Sequence, residues 1–456
     1  MTADQLRTAV HSLMTQAKSD LTELVAQPSV HGSPEFGAQP NLVAAQWVAD
    51  AFAAAGIETV EQVTTSDGSI AVVGHTPAPS GAPTVLLYSH FDVQPPGPRE
   101  QWDTDPFILT PRPGPDGAER WYGRGAADCK GNLIAHLTAL RAVRDTAGGA
   151  LPVGVRLIVE GSEEGGGDGL EHLVAQRPDL AQADLILIAD TGNLAVGRPT
   201  LTTSLRGMAS VRVEVATGAS DLHSGQFGGA APDALAALIA LLATLRDENG
   251  DTTIDGLDAS GTWTGEPYEP ERFRADAAVL EGVRTLGSGA IGDQVWARPA
   301  VTVIGLDAPA TATAAAAIQP RAAALLNLRV PPGADPAAAG ELLVAHLHAH
   351  APWGARVTAR IESTGEPFAA DTSGPGYAAL RAALTEAYDG AEVVTSGQGG
   401  SIPLCTQLRT AAPSAEIALL GVEEPLCRIH APNESVDPRE LERTALAEAL
   451  LLTRLA

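Results

Sequence analysis

Val153-Gly154-Val155-Arg156-Leu157-Ile158-Val159-Glu160-Gly161-Ser162-Glu163-Glu164-Gly165-Gly166-Gly167 is the stretch whose reading decides the fold. Val153, Val155, Leu157, Ile158 and Val159 read as a buried strand, and the glycines behind them let the backbone turn sharply where the strand ends. Glu163 and Glu164 then stand at the strand's carboxyl edge, where open α/β sheets leave a crevice for ligands. A solvated acidic turn is the plain alternative for so short a motif, so its neighbours must decide.

Two other apolar runs follow the same plan. Thr84-Val85-Leu86-Leu87-Tyr88 leads into Ser89-His90-Phe91-Asp92, and Leu185-Ile186-Leu187-Ile188-Ala189 leads into Asp190. A fourth segment, Gly123-Arg124-Gly125-Ala126-Ala127-Asp128-Cys129-Lys130-Gly131, sets an acid in a glycine-flanked loop ahead of a helical pattern on Leu133, Leu137 and Leu140. Strand ends that repeatedly carry metal-ligand side chains argue against coincidence.

The chain's 456 residues exceed what one core usually serves, so two domains are expected. A formal charge of −26 argues against nucleic acid and anionic membrane surfaces as partners. Cys129, Cys405 and Cys427 are odd in number and lack C-x-x-C spacing, which excludes a disulfide framework or zinc ribbon and fits a reducing cytoplasm. No apolar run reaches about 18 residues and no basic leader precedes an apolar core, so neither spanning nor secretion is expected.

In chain order, Leu6, Val10, Leu13, Ala17, Leu21 and Leu24 give an amphipathic helix ending before Pro28, and 41–55 gives a second. The strands and helices that follow alternate as in a mostly parallel sheet with helices on both faces. After Asp190 the texture changes. Val211, Val213 and Val215 alternate with polar residues, 230–246 is helix-forming, strands fall at 301–304 and 323–330, and Asp335-Pro336 opens a helix. The first texture returns near Pro367, with a helix over 377–388, a strand over 417–420 and a loop holding His430. The expected fold is therefore an α/β catalytic domain in two segments, 1–204 and 367–456, with an inserted α+β domain over 205–366.

That arrangement brings His90, Asp128, Glu164, Asp190 and His430 to one sheet. Two imidazoles and three carboxylates form a borderline N/O donor set that zinc, manganese or cobalt accepts. Five side chains suit two ions sharing one carboxylate, and such pairs activate water for amide hydrolysis. Glu163, beside a ligand but directed elsewhere, is placed to take the water's proton. Asp92, two residues beyond His90, is placed to hold the other imidazole nitrogen.

His90-Phe91-Asp92-Val93-Gln94-Pro95, the 123–131 loop, Glu163-Glu164-Gly165, Asp190, Asp221-Leu222-His223-Ser224-Gly225 and Ile429-His430-Ala431-Pro432-Asn433-Glu434 together resemble the two-metal aminoacylase and dipeptidase superfamily. The resemblance is strongest to its cytosolic non-specific dipeptidase and carnosinase branch, and covers nearly the whole chain. It implies that Asp128 bridges the ions, that His90 and Asp190 complete one site and Glu164 and His430 the other, and that Glu163 is the general base. It further implies that the inserted domain is a lid carrying a homodimer contact, and that His223 reaches across the dimer to the tetrahedral oxyanion. Arg329 matches the arginine that grips the substrate's carboxylate. The expected activity is dipeptide hydrolysis with two divalent ions, zinc foremost. The alternatives are an N-acyl amino acid deacylase of the same superfamily and a non-catalytic peptide- or metal-binding homologue.

Two departures stand out. Cys129 occupies a position that is commonly a second aspartate, after a peptide bond that is often cis in that family, and Gly397-Gln398 replace an Arg-Glu pair. Both bear on substrate choice rather than on the ligands. His346 and His350, four apart on a helix, have no acidic companion nearby in sequence and read as solvated-face residues. Serine-hydrolase elbows, phosphate loops and H-E-x-x-H helices are absent from the sequence.

Overall fold

The computed structural model describes every residue except Met1, Gly167 and Ser401. The chain divides into two compact units, one of Met1–Thr203, Ala370–Ser396 and Leu404–Ala456, the other of Ser204–Ala369 and Gly397–Pro403.

In the first unit the apolar runs form the middle of a sheet. Gly154–Glu160, Thr84–His90, Leu185–Ala189 and Glu416–Leu420 lie side by side and parallel. Leu185–Ala189 is buried along its whole length, as expected for a central parallel strand with both faces covered. Antiparallel strands flank this block: Ile70–Thr76 and Thr59–Thr64 on one side, Thr200–Leu205 on the other. The hairpin over 59–76 escapes the sequence reading because Thr59–Thr64 is mostly exposed and shows no clean apolar alternation. Register places His90 beside Glu160, so the strand ends emerge together at one edge.

The helix Lys130–Thr146 packs on the strand Thr84–His90 of this sheet. Ala3–Val25 packs on Lys130–Thr146, which also contacts Pro438–Arg454. Ala3–Val25 buries the stripe Leu6, Val10, Ala17, Leu21 and Leu24. Lys130 is fully buried, and its Nζ donates to the carbonyls of Leu24 (2.9 Å) and Gln27 (2.8 Å) at that helix's carboxyl end. A cation there meets the negative end of the helix dipole. Burial nevertheless pushes the ammonium down to about 7.

The loop before Lys130 is anchored by a residue far along the chain. Glu434, fully buried, accepts from Arg124 Nη1 (2.7 Å) and Gly125 N (3.0 Å) on one oxygen, and from the Ala127 and Asp128 amides (both 3.1 Å) on the other. Gly125 lies at φ 81°, and a Cβ there would come within 2.5 Å of Val93, so only glycine fits the turn. Ser435–Val436 then pairs with Glu119–Tyr122, which keeps the segment carrying His430 beside the Asp128 loop.

The second unit is a four-stranded antiparallel sheet in the order Ala300–Asp307, Arg321–Val330, Gly207–Ala216, Arg356–Gly365. Val211, Val213, Val215, Leu326, Leu328 and Val330 share a core with the helices Ala234–Ala243 and Pro336–Ala349. The helix expected over 230–246 is shorter because the Asp233 carboxylate caps it, accepting from Leu235 N at 2.9 Å. One reading needs correction here. His346 is not on a solvated face: it is 2% exposed, and Asp255, distant in sequence, is its acidic neighbour.

Replacing Glu434 by Ala strands the Arg124 guanidinium and three loop amides in the interior. The expected loss is about 3–5 kcal/mol of unfolding free energy, read from urea midpoints. An unchanged midpoint would show that the loop is held by other contacts.

Candidate metal centre

His90 ends its strand fully buried. Its Nδ1 faces the Asp92 carbonyl at 3.1 Å and the Asp92 carboxylate at 3.3 Å, while Nε2 faces Asp128 Oδ1 and Asp190 Oδ1, both at 3.2 Å. His430 sits in the left-handed region at φ 60° and turns Nε2 to Asp128 Oδ2 (2.9 Å) and Glu164 Oε1 (3.1 Å). Asp128 thus offers one oxygen to each imidazole-carboxylate pair. Donor atoms around a tetrahedral zinc lie roughly 3.3 Å apart, so these separations already approach the edges of two coordination shells.

Asp92 does more than orient an imidazole. Its two oxygens accept from the amides of Glu163 (3.1 Å) and Glu164 (3.0 Å), so one buried carboxylate fixes both His90 and the acidic turn. Gln94 donates from Nε2 to Glu164 Oε2 at 2.8 Å, leaving Oε1 toward His430. Neither this use of Gln94 nor that of Glu434 could be read from spacing, although both residues lie in the quoted motifs. The Asp128–Cys129 peptide is cis. Cys129 is fully buried and donates from Sγ to the Ala189 carbonyl at 2.9 Å, and burial pushes the thiol up to about 12.

The donor set suits divalent cations. Burial and the neighbouring Asp190 push Glu163 up to about 9, and burial raises Asp190 as well. Burial alone would also raise Asp128, but hydrogen bonds from His430 and His90 hold it well below the ordinary carboxylate range. Hydrogen bonds to Asp128 and Glu164 push His430 up to about 10. Five carboxylates thus share two imidazoles, and each proton held between an imidazole and an acid occupies a position that a bound cation would take.

All five expected ligands come together, with Asp128 common to both groups of donors, and Glu163 Oε2 lies 4.0 Å from His90 Nε2. His223 and Arg329 belong to the second unit. His223 is exposed, and its Nδ1 accepts from Gly225 N at 3.1 Å. Arg329 is half-buried and alternates with the core residues Leu328 and Val330, so it projects from the opposite sheet face. Arg206 is a neighbour that the sequence reading missed. Burial, reinforced by the Arg329 charge, lowers its guanidinium to about 10, and Nη1 donates to the Gln294 carbonyl at 3.3 Å.

Residues 86–454 match the family described as Peptidase family M20/M25/M40. A cysteinylglycine-S-conjugate dipeptidase from Corynebacterium striatum is 45% identical over 436 residues, covering 95% of this chain and 94% of that protein. The structure of human carnosine dipeptidase 1 aligns over 100% of this chain and 99% of its own, with a TM-score of 0.81 and 25% identity. The dipeptidase Dug1p of Saccharomyces cerevisiae aligns over 100% and 98%, with a TM-score of 0.82 and 22% identity, a likeness of fold. A match of this extent places the chain in peptidase family M20/M25/M40.

Proposed function

We propose that the chain is a two-metal dipeptidase. The observation that carries this reading is the Asp128 carboxylate, which turns one oxygen to His90 beside Asp190 and the other to His430 beside Glu164. His90, Asp190 and Asp128 would hold one ion, and Asp128, Glu164 and His430 the other. Bound there, divalent ions supply Lewis acidity for the scissile carbonyl and lower the pKa of an attacking water. Zinc is the first choice for these N/O donors, with manganese or cobalt competent by the same chemistry.

Glu163 takes the water's proton and hands it to the leaving amine nitrogen, which balances the hydrolysis without another acid. Asp92 keeps Glu163 in place through its backbone amide. Arg329 grips the dipeptide's terminal carboxylate, and Arg206 adds a second positive charge near it. His223 of a partner copy donates to the oxyanion forming at the carbonyl, in a homodimer whose inserted domain closes as a lid. The names and overall similarity of the relatives favour dipeptides over N-acyl amino acids, and an intact Glu163 with all five ligands favours an enzyme over a scaffold. Three free, buried cysteines favour a cytoplasmic setting. Among the described residues no helix is long and apolar enough to cross a membrane.

Chelator treatment is expected to abolish cleavage of a dipeptide panel that includes cysteinylglycine, and zinc, manganese or cobalt to restore it. Cleavage confined to N-acetyl amino acids would move the assignment to a deacylase. Glu163→Ala should lower kcat by about 10²–10⁴ with the metal content of wild type, measured by mass spectrometry of the purified protein. Full turnover by that variant would remove Glu163 from the mechanism. Arg329→Met removes a charge-assisted grip worth about 1.5–3 kcal/mol, so KM for dipeptides should rise roughly 10–100-fold. An unchanged KM would assign carboxylate binding elsewhere.

A further inference from the structure

We propose that Asp255, His346 and His350 form a separate transition-metal site within the second unit, one that takes zinc or a similar divalent ion. His346 lies on the helix Pro336–Ala349, and His350 is the residue that caps its carboxyl end. The i, i+4 spacing puts both rings on one side of the helix, where they stack with centroids 4.1 Å apart. Asp255 comes from the loop after the core residue Ile254 and sets Oδ2 2.8 Å from His350 Nε2 and 3.4 Å from His346 Nδ1. One donor atom from each residue lies within 4.8 Å of the other two.

The hydrogen bonds fix which nitrogen of His346 is free to bind. Thr244 spends its hydroxyl proton on the Leu241 carbonyl at 2.7 Å, so its oxygen accepts from His346 Nε2 at 2.9 Å. His346 Nε2 therefore carries the proton, and Nδ1 presents its lone pair toward Asp255, whose amide donates to it at 3.1 Å. An imidazole oriented through its far nitrogen by a neighbouring oxygen is the usual arrangement of a metal-ligating histidine. The Asp255 carboxylate stands 3.4 Å from the same nitrogen, so a cation bound there would replace the amide as partner of the Nδ1 lone pair and neutralise the carboxylate beside it. His350 binds through Nε2 with its proton moved to Nδ1. Two imidazole nitrogens and one carboxylate oxygen complete three positions of a tetrahedron, and Asp255 and His350 are exposed enough for solvent to fill the fourth. The site lies wholly in the inserted unit, where it would pin the long polar loop to the helix.

The test counts ions. Full-length protein is stripped with chelator, dialysed against buffered micromolar free zinc, and analysed for zinc per chain beside His350→Ala and Asp255→Asn. Both changes fall on exposed side chains, and circular dichroism checks that the variants fold. Wild type should hold one more ion per chain than either variant, while all three keep the same dipeptidase rate. Cobalt loading should show a d–d absorption component that both variants lose. Equal zinc content in wild type and both variants overturns the proposal and leaves Asp255 as a hydrogen-bond acceptor for His350. The comparison is a difference between proteins, so its failure is distinct from any failure of the two-metal reading.

Discussion

Five carboxylates, Asp92, Asp128, Glu163, Glu164 and Asp190, crowd the carboxyl end of one parallel sheet, and holding so much like charge out of water governs the architecture around them. An ionised acid in a low-dielectric interior is costly unless it is paired and hydrogen-bonded. Each acid here has a definite answer to that cost. Asp92 takes two backbone amides and an imidazole edge, Asp128 divides its oxygens between two histidines, and Glu164 is held by Gln94 on one side and His430 on the other. Glu163 has the least support, which suits the general-base role proposed for it.

Much of this was legible because the strands that carry the site are buried on both faces and so must be written in continuous apolar runs. Leu185–Ala189 and Thr84–His90 announce themselves, and the acids and imidazoles just past their ends need no tertiary information to be noticed. What could not be read depends on residues that meet only in space. Glu434 is an ordinary acid in sequence until the loop it anchors, over 300 positions earlier, folds around its carboxylate. Asp255 stands 91 residues before His346, so the spacing that made the histidine pair visible could not reveal its companion. His223 and Arg329 carry no local signal at all, since a loop histidine and a strand arginine occur on any surface, and they were named only through resemblance.

The inserted unit solves a different problem. Its sheet is apolar on one face and packs two helices there, while the opposite face is free to carry charge such as Arg329. Burial and the nearby Arg329 charge lower Arg206, and burial lowers Arg329, an arrangement that favours an anion as their neighbour. Cys129 follows the opposite logic. Where an aspartate would add one more charge to a crowded interior, the thiol stays neutral and simply donates to the Ala189 carbonyl.

Lys130 gives the amino terminus of the chain an unexpected reach. Its ammonium, two residues from Asp128, rests on carbonyls at the end of the first helix and has no water to fall back on. Peeling that helix away would strip Lys130 of the Leu24 carbonyl and open the buried base of the Asp128 loop. The first 25 residues are therefore part of the frame of the Asp128 loop, and proteolytic trimming or a bulky tag that disturbs them would act on the proposed metal centre at a distance.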